Sequence, residues 1–423
     1  MMNESLSKEM SVTQEKPSPT PLLKNRSFLM LIISIIFSSL ATSTYLMIET
    51  WYVSKHLQMP SMLGYVLMAT AIPRLLLMSV GGVVADRFKR SLIMFYSDFF
   101  RFVLLLAMTF LFLSDQLTFT ILIIFALLFG VLESFYWPAA SSIIPTIVPD
   151  SQLGAANSYN FTIQQVGVLV GPVIAGMSLT WGSYDWSFGL ISVMLLLGSV
   201  FLLGVRDQPQ QSAPDEVSEE KQSMLAEIKE GFLYIKEDRF KFSILLTNAI
   251  SVFFLVGPLS IAIPTFVTET LNGTAMDFTY LEISLTAGSL IGAIVIGMIN
   301  ITKQRAMWSY IFMLFFCFSM MGLGFAKELI PAIIALLFTG IFSSFANTTM
   351  VTALQSIIDM DKMGRVMSLF TMASTGLVPI SQGFIPMILN KGVSLSHLLI
   401  AGSSITCVFL ISVLLLVKTI RSQ

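Results

Sequence analysis

Twelve separate apolar runs, each near the length that crosses a bilayer, constrain this chain more than any other feature. About 20 apolar residues at 1.5 Å each span the ~30 Å of hydrocarbon in a membrane. Because lipid offers backbone groups no water, such runs form helices. The sequence therefore predicts an all-α membrane protein with twelve transmembrane helices. Their predicted bounds are 28–53, 61–85, 91–113, 117–140, 154–180, 186–205, 242–268, 278–301, 306–325, 329–350, 366–389 and 397–417.

A polar stretch divides the runs into two sets of six. It carries apolar side chains at helical spacing, which predicts a helix lying on the membrane surface. Those side chains are Met224, Leu225, Ile228, Phe232 and Ile235. The first segment is polar and rich in proline, so we predict a disordered tail there. The predicted division is a cytosolic tail at 1–27, a six-helix bundle at 28–205, a linker at 206–241, and a second six-helix bundle with a short cytosolic tail at 242–423.

Lysine and arginine residues fix the expected orientation. With the N-terminus inside, nineteen of them fall on the cytosolic side and three on the outer side. Cytoplasmic loops accumulate positive charge, so both termini are predicted to be cytosolic. Only 12% of the chain is charged and 55% is apolar, which excludes a soluble domain of this length. We expect a multi-pass protein of a bacterial inner membrane, a monomer surrounded by lipid, with no nucleic-acid partner.

The loop after the second predicted helix carries a glycine, an aspartate and basic residues at fixed spacing: Gly82, Asp86, Arg87 and Arg90. A glycine here would let two helices approach closely. Asp86 could accept hydrogen bonds from the positive N-terminal end of a neighbouring helix, such as the one opening near Gly364 and Arg365. This pattern resembles the loop signature of the major facilitator superfamily, with Lys89 where a second glycine is usual.

The fifth predicted helix carries small residues and a proline on one face: Gly167, Gly171, Pro172 and Gly176. Pro172 removes one backbone hydrogen bond and lets the helix bend, while the glycines permit close packing. The set is similar to the antiporter motif of the same superfamily, which is found in exporters more than in importers. The alternative is ordinary small-residue helix packing.

From about Leu29 to Leu416 the chain further resembles the macrolide-efflux and enterobactin-exporter branch of drug:proton antiporters. The resemblance is carried by short stretches in a fixed order, among them Ile72-Pro73-Arg74, Ser97-Asp98 with Arg101, Tyr136-Trp137-Pro138-Ala139, Ala155-Ala156-Asn157-Ser158, Ile228-Lys229-Glu230-Gly231 and Gly364-Arg365-Val366. It implies the major facilitator fold, with two bundles around a central cavity. It also implies alternating access coupled to the proton gradient.

Three acids within predicted helices are candidates for proton coupling, because a charge inside the bilayer is costly unless it has a function or a partner. They are Glu49, Glu133 and Glu282. Glu49 carries the proton, meets a cationic substrate or lies solvated at the outer boundary. Glu133 either pairs with Arg87 or Arg90 as an inner gate or is a proton site. Glu282 is either a rim residue or an entry point for protons.

Three further charges lie within the second and third predicted helices: Arg74, Asp98 and Arg101. Asp98 and Arg101 share a helix face by their spacing, and Arg74 reaches a similar depth on an antiparallel neighbour. We expect a structural ion pair or triad, since the resemblance implies that the third helix lies outside the cavity. The alternative is that Arg74 attracts an anionic substrate or modulates a nearby acid.

Aromatic side chains would suit an amphipathic ligand. The candidates for the substrate cavity are Trp51, Tyr52, Tyr136, Trp137, Phe253 and Phe345. No catalytic, metal or nucleotide-binding pattern is present, so we expect no enzyme activity, no cofactor and no metal.

The expected function is proton-coupled secondary active export of small amphipathic molecules, of the drug or macrolide type, with protons and the substrate as partners. The alternatives are export of an endogenous metabolite such as a siderophore, or a non-transporting membrane sensor of the same fold. An importer is disfavoured by the motif of the fifth helix.

Overall fold

A computed structural model describes residues 22–207, 224–299, 301, 303–360 and 362–416. Within these ranges every regular element is a helix. Twelve helices are long and apolar enough to cross a membrane, which confirms the predicted fold class. The first part of the predicted tail, most of the polar linker and the C-terminal tail lie outside the described residues.

The helices follow one another with short connections. Those that can span a membrane are α1 (Arg26–His56), α2 (Pro60–Arg87), α3 (Arg90–Leu113), α4 (Phe119–Ser142), α5 (Asp150–Trp181), α6 (Tyr184–Leu202), α8 (Arg239–Thr270), α9 (Ala275–Ile299), α10 (Arg305–Phe325), α11 (Leu329–Ile357), α12 (Met363–Leu389) and α13 (Leu395–Leu416). Between the two sets of six lies α7 (Met224–Glu237), within the predicted linker. The side chains of its first six residues are outside the description.

A capping residue starts the first helix inside the segment predicted as tail. The side-chain oxygen of Asn25 accepts hydrogen bonds from the backbone N–H groups of Ser27 at 3.1 Å and Phe28 at 3.3 Å. Its amide group donates to the carbonyl of Ile147 at 2.8 Å. The cap satisfies N–H groups that a helix start otherwise leaves unpaired. It also ties the start of α1 to the connection between α4 and α5.

Irregular turns occur in two of the spanning helices. α1 ends in a π-helical turn at Tyr52–His56, and α8 contains two more, at Val252–Val256 and Phe266–Thr270. Such turns often mark functional segments in helices. α8 also contains Pro258 and Pro264, which remove backbone hydrogen bonds.

Each set of six contains one helix pair in backbone contact through glycine. A Cβ added at Gly130 of α4 would fall on the carbonyl oxygen of Thr70 in α2. A Cβ added at Gly340 of α11 would fall on the carbonyl oxygen of Leu285 in α9 and lie 2.6 Å from the nitrogen of Ser289. α2 and α4 therefore pack in the first set as α9 and α11 pack in the second, as expected for a transporter built from repeats.

The two bundles meet at the end of the molecule predicted to face outward. The ring of Trp51 in α1 stacks on that of Phe278 in α9, with centroids 5.7 Å apart. The hydroxyl of Thr279 donates to the carbonyl of Pro172 in α5 at 3.2 Å. These contacts join α1 and α5 of the first bundle to α9 of the second, and they close the space between the bundles at this end.

The end predicted to be cytosolic is less closely packed between the bundles. In the described part of the chain, a Cβ added at Gly82 or at Gly364 would have no heavy atom of another segment within 4 Å. The carboxylate of Asp86, beside Gly82, is 76% exposed. The first bundle's loop and the start of α12 are therefore apart in this conformation.

The helix α7 is held against the start of α12 by charge. One carboxylate oxygen of Glu230 lies 2.6 Å from the Lys362 ammonium and 2.6 Å from the Arg365 guanidinium. The hydrogen bond from Lys362 lowers the pKa of Glu230, and the charge of Arg365 lowers it further. The hydroxyl of Tyr234 also donates to Asp359 at 2.8 Å. We name this set of contacts the linker clamp.

Candidate functional site

A cavity in two connected parts lies at the centre of the molecule. The larger chamber has a volume of about 420 Å³ and is lined by both bundles. The smaller chamber has about 280 Å³ and is lined by the first bundle alone. Both chambers share a wall that includes Arg74, Glu133 and Ser43. Volumes near these are typical of sites for small ligands.

Four charged side chains form a connected cluster behind this shared wall. The guanidinium of Arg74 in α2 lies 3.2 Å from one oxygen of Glu133 in α4. The other oxygen of Glu133 lies 3.9 Å from Arg101 in α3. Arg101 in turn forms an ion pair with Asp98. Two arginines and two acids leave the cluster neutral, which is the condition for burying charges in a bilayer.

Neutral groups complete the cluster. The hydroxyl of Ser38 in α1 donates to Asp98, and Arg101 donates to the hydroxyl of Thr42 at 3.1 Å. The guanidinium carbon of Arg101 lies 4.8 Å from the centre of the Tyr136 ring and 5.3 Å from that of Phe129. Arg101 is 1% exposed and Asp98 is fully buried, whereas Arg74 is 40% exposed. Arg74 is therefore the member that faces the cavity most openly.

The partners within this cluster differ from those expected. Glu133 pairs with Arg74 and Arg101. It does not pair with Arg87, which is exposed at the end of α2, or with Arg90, which donates to Ser142 at 2.9 Å. The physical reason is the direction of the side chain, because Glu133 points across the bundle and not along α4. Arg74 pairs with Glu133 in place of Asp98. Arg101 of α3 also lines the smaller chamber, although the third helix was expected outside the cavity.

Glu49 lies buried within the first bundle, behind the larger chamber and not at a solvated boundary. One carboxyl oxygen accepts a hydrogen bond from the Tyr45 hydroxyl at 2.6 Å. The other has no partner among the described residues. The Tyr45 ring stacks on Phe129, with centroids 4.3 Å apart, and Phe129 also contacts Arg101. Glu49 is thus close to the charge cluster but is not one of its ion pairs.

Glu282 projects from α9 of the second bundle to line the larger chamber. It is therefore a cavity residue and not a rim residue. Gln382 of α12 and Ser260 of α8 line the same wall, and the Gln382 amide donates to the Ser260 hydroxyl at 2.9 Å. The two acids of the chamber, Glu133 and Glu282, consequently belong to opposite bundles.

The loop signature is only partly engaged in this conformation. Asp86 lies 3.9 Å from Arg90, one turn further along the chain. The contact expected between Asp86 and the start of α12 is absent from the described residues. Arg365 binds Glu230 of the linker clamp in its place, since the two bundles are apart at this end.

The small-residue face of α5 packs against α1 and reaches the second bundle. A Cβ added at Gly167 would lie 2.6 Å from that of Ser39, and one added at Gly171 would collide with the Ser43 side chain. Gly176 lies in the same way against Thr279 of α9. The motif therefore places α5 directly beside the cavity wall and within the contact that closes the outer end.

The aromatic candidates divide into three pairs by position. Tyr136 and Trp137 line the smaller chamber. Trp51 and Tyr52 lie in the closed outer end, where the Tyr52 hydroxyl donates to the carbonyl of Leu117 at 2.9 Å. The remaining two pack among other phenylalanine rings, Phe253 against Phe254 and Phe384, and Phe345 against Phe312 and Phe342.

Three uncharged polar residues that line the cavity were not among the site residues predicted from the sequence. Gln164 and Gln165 of α5 line the smaller chamber, and Gln382 lines the larger one. An amide within a membrane helix is costly unless it faces a cavity or a partner. A search for glutamine within the predicted helices would have identified all three. Among the described residues no group of three or more His, Cys, Asp or Glu side chains is placed to hold a metal ion.

Comparison with known proteins agrees with this architecture. The sequence matches the family described as Major Facilitator Superfamily over residues 31–381. Macrolide efflux protein A of Streptococcus pyogenes is 23% identical over 359 residues, which cover 84% of this chain and 86% of that protein. The protein of the same name from Enterococcus faecalis is 23% identical over 291 residues, with 68% and 88% covered. The solved structure of a POT family transporter in complex with 5-aminolevulinic acid is similar with a TM-score of 0.69 at 13% identity, covering 94% of this chain and 97% of that one.

Proposed function

Because the chain belongs to the Major Facilitator Superfamily, we propose that this multi-pass inner-membrane transporter exports small amphipathic molecules in exchange for protons. The proposed moving units are the bundles at 28–205 and 242–423, which rock about the cavity between them to give alternating access. Distant similarity to macrolide efflux proteins supports export. The proposed cytosolic placement of both termini, argued from the positive charges, identifies which end of the cavity faces the cytosol.

The observation that carries proton coupling is the position of Glu133 between two arginines at the shared wall of both chambers. While Glu133 is ionised, the cluster of two arginines and two acids is neutral. When Glu133 takes up a proton, the cluster gains one positive charge and Arg74 loses its ion-pair partner. Arg74 is the member most open to the cavity, so the added charge acts directly on the binding space.

The proposed cycle follows from this change of charge. With the cavity open to the cytosol, Glu133 is ionised and paired, and substrate binds. After the bundles close on that side and open outward, a proton reaches Glu133 and frees Arg74. The uncompensated guanidinium then weakens substrate binding, so the substrate leaves outward. Return to the cytosolic side lets the proton dissociate and restores the Arg74–Glu133 pair.

Glu49 has a different proposed role. Its carboxyl group is buried, has one hydrogen bond from Tyr45 and contacts no cation among the described residues. It also lies behind the larger chamber and not among the residues that line it. We therefore assign Glu49 to the packing of α1 and keep Glu133 as the coupling acid.

Transport by everted membrane vesicles tests the proposal. Vesicles with an acidic interior are supplied with macrolides, dyes and cationic biocides, and gradient-driven accumulation is measured. We expect wild-type accumulation of at least one compound, and a loss of at least tenfold in Glu133→Gln. The matched control is Glu328→Gln, which makes the same chemical change at an exposed position before α11. Gradient-driven accumulation that survives Glu133→Gln would exclude Glu133 as the coupling acid.

A cell assay identifies the substrate class. A strain that overexpresses the protein is compared with a deletion strain for resistance to the same compounds. Increased resistance to an amphipathic compound supports the drug-export reading. Equal resistance to every compound would favour export of an endogenous metabolite, which the sequence left open.

A further inference from the structure

The wall that the second bundle presents to the larger chamber carries hydrogen-bond acceptors without donors. Glu282 has no hydrogen bond or ion pair with any described residue. Gln382 uses its amide N–H on Ser260, which leaves its side-chain oxygen buried and without a partner. The Ser260 hydroxyl in turn donates to the carbonyl of Gly257 at 2.9 Å. The Glu282 carboxyl group and the Gln382 side-chain oxygen on this wall therefore lack partners among the described residues.

The arginine of the opposite wall is not available to neutralise Glu282. Arg74 is the one basic side chain among the residues that line the larger chamber, and it is paired with Glu133 at 3.2 Å. Breaking that pair to reach Glu282 would leave Glu133 with Arg101 alone, and Arg101 already pairs with Asp98. No basic side chain that lines the larger chamber is thus available to Glu282, so a cation bound there would come from outside the protein.

We propose that Glu282 binds the protonated amine of the transported molecule, with the Gln382 side-chain oxygen as a second acceptor. This inference rests on the proposed export function and divides the work between the two acids. Glu282, in the second bundle, binds the substrate, whereas Glu133, in the first bundle, exchanges the proton. The substrate class is an amphipathic amine that carries at least one N–H when protonated.

The rest of the larger chamber fits the apolar body of such a molecule. Its lining includes Leu67, Ile263, Phe278 and Val378. Apolar surface removed from water there contributes about 25 cal/mol per Å². An ammonium group brought beside the ionised Glu282 carboxylate forms a charge-assisted hydrogen bond, stronger than one between neutral groups. The two contributions select for a molecule with one cationic end and one apolar end.

The division of work also explains how a proton could expel the substrate. Protonation of Glu133 adds a positive charge at Arg74, in the same chamber that holds the ammonium group. Like charges within one low-dielectric cavity repel each other. The proton and the substrate therefore need not compete for one carboxylate, because the proton acts on the substrate across the chamber.

A binding measurement with two matched probes tests the assignment. The probes are 2-(1-naphthyl)ethylamine and 2-(1-naphthyl)ethanol, which share a ring and differ in the charged group. Binding to the full-length protein in lipid nanodiscs is followed by probe fluorescence at neutral pH and without a gradient. We expect the wild-type protein to bind the amine at least tenfold more tightly than the alcohol.

Variants assign that preference to one acid. Glu282→Gln should lose the tenfold preference while its affinity for the alcohol stays within twofold of wild type, which also shows that the variant is folded. The control Glu328→Gln should keep the full preference, whereas Glu133→Gln, which leaves Arg74 without its partner as protonation does, should keep a reduced preference for the amine. Equal binding of both probes by the wild type, or a preference that survives Glu282→Gln, would overturn the assignment. Because no gradient is used, this result is independent of the vesicle assay, and either proposal can fail alone.

Discussion

The stability costs of removing Asp98 and Arg101 one at a time are expected to add up to more than the cost of removing both together. Arg101→Met leaves the Asp98 carboxylate with the hydrogen bond from Ser38 but without its cationic partner. Asp98→Asn leaves two arginines facing one acid, Glu133. In either single variant the cluster loses its charge balance inside the bilayer.

The magnitude follows from burial. Asp98 and Arg101 are 0% and 1% exposed, so neither can be rehydrated without opening the bundle. Removing one partner of a buried pair costs about 3–5 kcal/mol, because an uncompensated charge remains. The double variant, Asp98→Asn with Arg101→Met, keeps a cluster of zero net charge, because the Arg74–Glu133 pair remains. We expect it to be less destabilised than the sum of the single variants by about 3 kcal/mol.

Denaturant unfolding of the purified protein, followed by circular dichroism, measures the free energies of the four proteins in this cycle. Asp115→Asn is the matched control, since Asp115 is exposed in the connection before α4, and its change should stay within about 0.5 kcal/mol. Additive costs in the double variant would refute the reasoning. Single variants that each lose less than about 1 kcal/mol would do the same, since they would mean that water reaches the pair.

Two further predictions concern the ends of the molecule. Because the hydrogen bond from Lys362 lowers the pKa of Glu230, the linker clamp is complete above the ordinary carboxyl pKa of about 4.3 and is lost as the pH falls through the lowered value. Hydrogen-exchange protection of α7 in the wild-type protein should therefore fall only in acid. The Glu230→Gln variant should lack this protection already at neutral pH. Equal protection of α7 in the wild type and the variant at neutral pH would contradict the assignment of the linker clamp. At the other end, Trp51→Ala removes the ring that stacks on Phe278, a pair worth about 0.5–1.5 kcal/mol beyond its buried area. Labelling of Ser43→Cys by an impermeant thiol reagent from outside should then rise about 2–12-fold, whereas unchanged labelling would show that the pair does not close the outer end.

The helices could be predicted from sequence because hydropathy is a local property. Every spanning helix lies at its predicted place, and the differences are confined to ends. α8 begins at Arg239, where Asp238 caps it by accepting from Phe240 at 2.8 Å. α11 continues to Ile357, through a polar stretch in which hydropathy falls although the backbone stays helical. α1 begins at Arg26 because Asn25 caps it, inside the segment predicted as tail.

The partners of the charged side chains could not be predicted in the same way. Depth along a helix follows from residue number, but the direction of a side chain depends on how each helix is rotated in the bundle. The arginines predicted to pair with Glu133 were therefore not the ones that it contacts. Likewise, Trp51 was predicted to line the cavity, although its ring stacks on Phe278 in the contact that closes the outer end. The inner contact of Asp86 depends in addition on which conformation the bundles adopt, which one sequence does not specify.

Proton release on substrate binding tests the central claim most directly. The purified protein in weakly buffered nanodiscs is first acidified so that Glu133 takes up a proton. It is then mixed with saturating 2-(1-naphthyl)ethylamine, and a soluble pH indicator reports protons released or taken up. If Glu133 exchanges the proton, binding should release protons from the wild type, and Glu133→Gln should release clearly fewer while still binding the amine. Release of equal size from both proteins would contradict the account.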